Sequence, residues 1–258
     1  MKKIIALLLV LVMMLCMAAC TTTETENPAE STPATNESQG SEGTEGTENN
    51  NDNTSTVMTH AEYLAAAEDD AVEVECYVQA TQSWWNDQIV IYAQDATGGY
   101  FAYNVACSQE DAALLVPGTK INIKGFKTFY KGMPEIAAGA TFTVIEGADT
   151  YIAEAEDMTN LLGSEDLVNK AGMLAAFKGL TIEAINYKNG EPGDDIYVDV
   201  SLDGATYSFC VEVYLTGTDT DVYKAFADLK VGDKVDIEGF VYWYDGINTH
   251  ITAVSAAQ

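Results

Sequence analysis

Gly232-Asp233-Lys234-Val235-Asp236-Ile237-Glu238-Gly239-Phe240 decides the fold, because the chain carries this stretch twice. The earlier copy is Gly118-Thr119-Lys120-Ile121-Asn122-Ile123-Lys124-Gly125-Phe126. Both follow the pattern Gly-x-Lys-β-branched-x-Ile-x-Gly-Phe, which alternates as a half-buried strand does. Aromatic pairs follow at the same distance, Phe129-Tyr130-x-Gly132 in one copy and Trp243-Tyr244-x-Gly246 in the other. Self-similarity of this kind means one supersecondary unit used twice.

Outward from the first copy, Thr59-His60-Ala61-Glu62 is a capping box that opens a short helix. Residues 72–78, 89–93 and 100–105 read as three strands, a Ser-capped helix follows at 108–115, and a fifth strand runs over 136–144. The second half repeats the plan, with strands at 177–185, 196–202 and 206–213, a helix at 222–229, and strands at 234–241 and 248–254. Asp203-Gly204 marks a tight hairpin. Three strands, a helix and two strands, twice over, is the order of the OB-fold barrel.

Particular residues carry that resemblance. Asp95-Ala96-Thr97-Gly98-Gly99-Tyr100 resembles the Asp-x-Thr-Gly turn between the second and third strands of many OB domains. Residues 116–125 and 229–239 resemble their fourth strand, and the likeness spans roughly 70–145 and 175–255. The second copy departs at Leu202-Asp203-Gly204-Ala205, which lacks Thr-Gly. The resemblance implies a mainly β protein of two tandem five-stranded OB-like barrels, each with a short helix between strands three and four. The domains expected are 57–158 and 159–258.

Lys2-Lys3, the apolar run over 4–14 and Ala18-Ala19-Cys20 form a charged, apolar and small-residue series typical of a signal peptide over 1–19. Its end resembles a bacterial lipobox, which implies a diacylglycerol on Cys20 and a place on the extracytoplasmic face of a bacterial cell membrane. Residues 21–56 hold neither lysine nor an aromatic ring, so they cannot bury enough apolar surface to offset ordering. With Cys20 they form an acidic Ser/Thr/Asn/Gly/Glu linker.

Forty Asp and Glu stand against twelve basic residues, all lysine, for a net charge of −28. Without the bidentate guanidinium fork, and with polyanions repelled over the whole surface, nucleic acid is disfavoured as a partner. An envelope protein or glycan is the partner expected. Setting aside Cys16 and Cys20 leaves Cys76, Cys107 and Cys210, an odd set that allows at most one bridge.

His60 and His250 are the only histidines, and no zinc motif, nucleophile elbow or phosphate loop is present. The expectation is a non-enzyme with neither catalytic residues nor a cofactor. Asp194-Asp195 and Asp219-x-Asp221 offer calcium-type oxygens but fit no EF-hand loop, so no metal site is assigned. OB ligands lie across strands two and three, between the loops joining strands one to two and four to five. Candidate ligand contacts are therefore Trp84, Trp85, Tyr103, Phe129 and Tyr130 in the first barrel, and Tyr187, Tyr242, Trp243 and Tyr244 in the second. The same rings would equally close a barrel mouth or join the two barrels. On the third strand, either Tyr100 and Ala102 or Phe101 and Tyr103 face outward. The expected role is a membrane-anchored, non-catalytic binding or adaptor module. The alternatives are a single-stranded nucleic-acid binder at the cell surface and, behind it, an envelope hydrolase.

Overall fold

Thr59 makes the expected capping box: its side chain accepts from the Glu62 amide, and the Glu62 carboxylate accepts from the Thr59 amide at 2.8 Å. The computed structural model describes residues 57–257, all within one compact unit. Cys20, the signal segment and the linker lie outside the described residues.

After α1 (His60–Ala65) come β1 (Ala71–Thr81), β2 (Gln88–Gln94), β3 (Gly99–Ala106), α2 (Gln109–Ala112), β4 (Lys120–Tyr130), β5 (Met133–Ile136) and β6 (Thr141–Val144). β1, β2 and β3 pair antiparallel, β3 meets β5 in parallel at Ala102 and Ile136, β5 pairs with β4, and β4 returns to β1. That circuit closes a five-stranded barrel in OB order. Alternate residues fill it, including Val74, Cys76, Ile91, Tyr100, Ile121 and Ile123.

The expected fifth strand over 136–144 is broken into β5 and β6. Residues 137–140 turn aside to β3, where the Gly139 amide donates to Asn104 and the Ala140 carbonyl accepts from Ala106. Gly139 makes the detour with φ +85°.

The second circuit follows β7 (Glu156–Asp157) and two 3-10 turns (Thr159–Leu161 and Glu165–Lys170). It contains β8 (Leu174–Tyr187), β9 (Ile196–Leu202), β10 (Ala205–Val211), α3 (Val213–Thr216), α4 (Asp221–Ala225), β11 (Lys234–Phe240) and β12 (His250–Ala256). β8, β9 and β10 pair in sequence, β10 meets β12 in parallel, β12 pairs with β11, and β11 closes on β8. Phe177, Phe209, Val235 and Ile237 are buried inside it. Each such side chain contributes roughly 1.5–3 kcal/mol through burial. β7 lies parallel to β8.

The repeat holds in detail. Gly118 and Gly232 share φ near +91° and +93°. Gly125 and Gly239 are both closely approached by the fifth strand: an added Cβ would lie 2.8 Å from Ile136 or 2.4 Å from the His250 carbonyl.

A third apolar cluster joins the circuits. Val90, Tyr92, Phe101 and Met133 of the first pack with Phe240, Leu174, Tyr242 and Trp243 of the second. Glycines interleave at its edge, where a Cβ on Gly99 would lie 2.4 Å from the Met173 amide nitrogen.

Candidate binding surface

The outward face of β2 and β3 is where an OB barrel receives ligand. Tyr100 and Ala102 point into the first barrel, so Phe101 and Tyr103 point out. The second barrel covers most of that face. Phe240 packs 4.7 Å from the Tyr92 ring, and Tyr242 lies 5.4 Å from Phe101. The Tyr92 hydroxyl lies 2.6 Å from Nδ1 of His250, on which Tyr242 stacks at 4.1 Å. Gln82 donates its amide N–H to the same Tyr92 oxygen. His250 is a neutral ring, since burial holds its pKa down at about 3.

Both loops flanking the cleft are also engaged. The Ser83 amide donates to the Tyr214 carbonyl at 2.7 Å. On the other side, the Asp245 amide donates to the Lys131 carbonyl, and the two side chains form a 2.8 Å ion pair. The first barrel therefore holds the second as an OB domain holds a ligand.

The nine expected ligand-contact rings sort accordingly. Trp84 packs on the first core and donates its indole N–H to the Cys107 carbonyl at 2.8 Å. Tyr187 packs on the second core, while Tyr242 and Trp243 fill the junction. Trp85 is 76% exposed. Tyr103, Phe129, Tyr130 and Tyr244 each keep nearly half their surface open.

Tyr130 and Tyr244, equivalent in the repeat, meet edge to face at 5.9 Å. The Tyr244 hydroxyl raises the Tyr130 pKa, and Tyr103 adds to the same effect. Lys131 sits 5.2 Å from the Tyr244 ring centre. The result is a composite aromatic patch built on Tyr130 at the end of β4 and Tyr244 in the β11–β12 loop. Buried Glu135 on β5 is pushed up to about 7 by desolvation and raises the Tyr242 pKa. Lys127 is fully buried, donates to the Tyr63 carbonyl at 2.6 Å and is lowered to about 8 by burial.

Sequence reasoning missed Tyr92, Phe240 and His250 as the joint. One signal was present: Ile89-Val90-Ile91-Tyr92-Ala93 has no polar alternation, as a strand covered on both faces requires. The second barrel's corresponding face is mixed: Tyr197 is 39% exposed, Asp199 accepts from Ser208 and Glu183 from Ser201. Asp194 and Asp195 grip Lys188 at 3.2 and 2.9 Å. Asp195 also accepts from the Val213 amide. Among the described residues no cluster of three or more His, Cys, Asp or Glu is arranged to hold a metal. Cys76, Cys107 and Cys210 are buried free thiols.

No protein-family model and no curated protein sequence matches the chain. Solved structures of similar fold include a murine DNA-binding protein bound with double-stranded DNA, 13% identical, covering 72% of this chain and 96% of that one, with a TM-score of 0.34. The p204 HINb domain is 13% identical over 74% of this chain and 99% of that one, with a TM-score of 0.34. A replication protein A heterotrimer bound to single-stranded DNA is 11% identical over 73% of this chain and 49% of that one, with a TM-score of 0.32. These likenesses concern fold alone.

Proposed function

We propose that this chain is a non-catalytic binding module, held to the extracytoplasmic face of a bacterial membrane by lipid on Cys20 and set off from it by residues 21–56. Its ligand lies on the composite patch of Tyr103, Tyr130 and Tyr244. The observation that supports this most is the pairing of Tyr130 with Tyr244 across two barrels while both rings stay 48% exposed. Large rings left open beside a sealed apolar junction are kept for contact. In this reading 57–158 and 159–258 are two domains acting as one unit.

The test compares the parent chain with Tyr130→Ala/Tyr244→Ala and with Trp85→Ala for retention of envelope components. Loss in the tyrosine variant alone supports the patch; equal retention by all three removes it. Replacing Cys20 with Ser should abolish incorporation of a labelled fatty acid, and undiminished labelling would sink the anchor.

A second reading is binding of single-stranded nucleic acid, favoured by Lys131 set over the Tyr244 ring beside further stacking faces. The DNA-bound proteins compared above are a precedent of fold only. A net charge of −28 stands against this reading, which requires retention that weakens steeply with salt.

A further inference from the structure

Resting on the patch reading above, we infer that its ligand is a neutral carbohydrate, stacked by its flat sugar faces on Tyr130 and Tyr244 and hydrogen-bonded by their hydroxyls. Tyrosine rings suit pyranose rings and nucleobases alike, so the decision falls to charge. A nucleic acid brings a phosphate with every base and must find cations to replace its counterions. The ammonium group beside these rings is already committed. Lys131, 5.2 Å from the Tyr244 ring centre, is ion-paired with Asp245 at 2.8 Å.

The next carboxyl along the chain is buried. Glu135 sits in β5 directly after the Lys131-Gly132-Met133 turn, and its effect reaches the hydroxyl of Tyr242 at the joint. An anion approaching the patch therefore meets a matched ion pair and the field of the whole chain, with no guanidinium anywhere in the sequence. A neutral polyol meets none of that opposition. It finds ring faces for its C–H surface and phenol groups that both donate and accept for its hydroxyls. Because Tyr130 comes from the first barrel and Tyr244 from the second, the pair is complete only when the barrels are docked.

The experiment spots the full chain on a panel holding β-glucan, xylan, mannan, α-glucan and a mixed-sequence single-stranded DNA, at low and high salt. The expected result is retention of at least one neutral polysaccharide, unchanged by salt, and weakened about tenfold or more by Tyr130→Ala/Tyr244→Ala. Thermal unfolding checks that this variant folds, and Tyr244→Ser alone serves if it does not. Retention of DNA that falls with salt overturns the carbohydrate assignment while leaving the patch in place. A polysaccharide held equally by parent and both variants overturns the patch itself. A folded parent that retains no neutral polysaccharide overturns the carbohydrate assignment outright.

Discussion

Tyr92 and His250 are 158 residues apart in sequence and share a 2.6 Å hydrogen bond at the centre of the joint between two barrels. His250 is held there as a neutral ring. Burial holds its pKa near 3, against about 6.5 for an open histidine, so between those values the unfolded chain binds more protons than the folded one. The stability this contributes is fully present above pH 6.5 and is lost as pH falls toward 3. Glu135 and Glu212, each raised from 4.5 to about 7 chiefly by burial, act with the opposite sign, favouring the fold less as pH rises from 4.5 to 7. A difference curve isolates the histidine: parent minus His250→Asn unfolding free energy should climb from pH 3 to 6.5. A flat difference would mean that His250 is charged in the fold. Tyr92→Phe should cost about 1–3 kcal/mol by leaving buried Nδ1 without its partner.

Gly99 tests whether the barrels are locked. Its added Cβ would lie 2.4 Å from the Met173 nitrogen and 2.6 Å from the Ala171 carbonyl, both backbone atoms that cannot step aside. Gly99→Ala should cost about 1–3 kcal/mol or more and split one calorimetric transition into two as the barrels separate. A single transition at the parent's temperature would show that the joint gives way freely.

Lys127 makes an alkaline prediction. Burial lowers it to about 8 from 10.5, so the unfolded chain binds the extra proton across that window and stability gains as pH rises through it. Chemical denaturation of parent and Lys127→Met should therefore diverge in the parent's favour from pH 8 to 10.5. At neutral pH the methionine variant should stand within about 1 kcal/mol of the parent or above it, since it no longer desolvates a charge. Parallel curves would place the ammonium in water.

Trp84 and Trp85 are neighbours with opposite fates. Trp84→Ala should cost about 3 kcal/mol through lost packing and the unpaired Cys107 carbonyl. Trp85→Ala, on a ring three-quarters exposed, should stay within about 0.5 kcal/mol of the parent. Equal losses in urea denaturation would contradict the different burial of the two rings.

The barrels were legible because their signals are local: the doubled Gly-x-Lys stretch, the Asp203-Gly204 turn and period-two strands all act within a few residues. The Asp95 turn is an instance, its carboxylate gathering the amides of Thr97 and Gly98. The joint was not legible in the same way. Phe126 and Phe240 occupy the same repeat position, yet one is 59% exposed and the other 3%. Nothing in the repeated stretch distinguishes them, because the difference lies in what the rest of the fold brings against each. For the same reason, sequence named all the rings of the patch without telling Tyr130 and Tyr244, which stay open, from Tyr242 and Trp243, which do not.

The union of the barrels is head-to-tail: a cleft on one receives the Phe240 side of the other. Unlike a two-fold contact, such a joint leaves an unused cleft at one end and an unused plug at the other, and in principle could run on from molecule to molecule as a filament. Here both free ends are blunted. In place of the Val90, Tyr92 and Phe101 face, the second barrel offers Asp199, Ser201 and Ser208, already bonded among themselves and to Glu183. The exposed Phe126 side carries Thr128 where its repeat partner has the junction ring Tyr242. The two copies thus share a barrel and differ in the surfaces that would extend the joint.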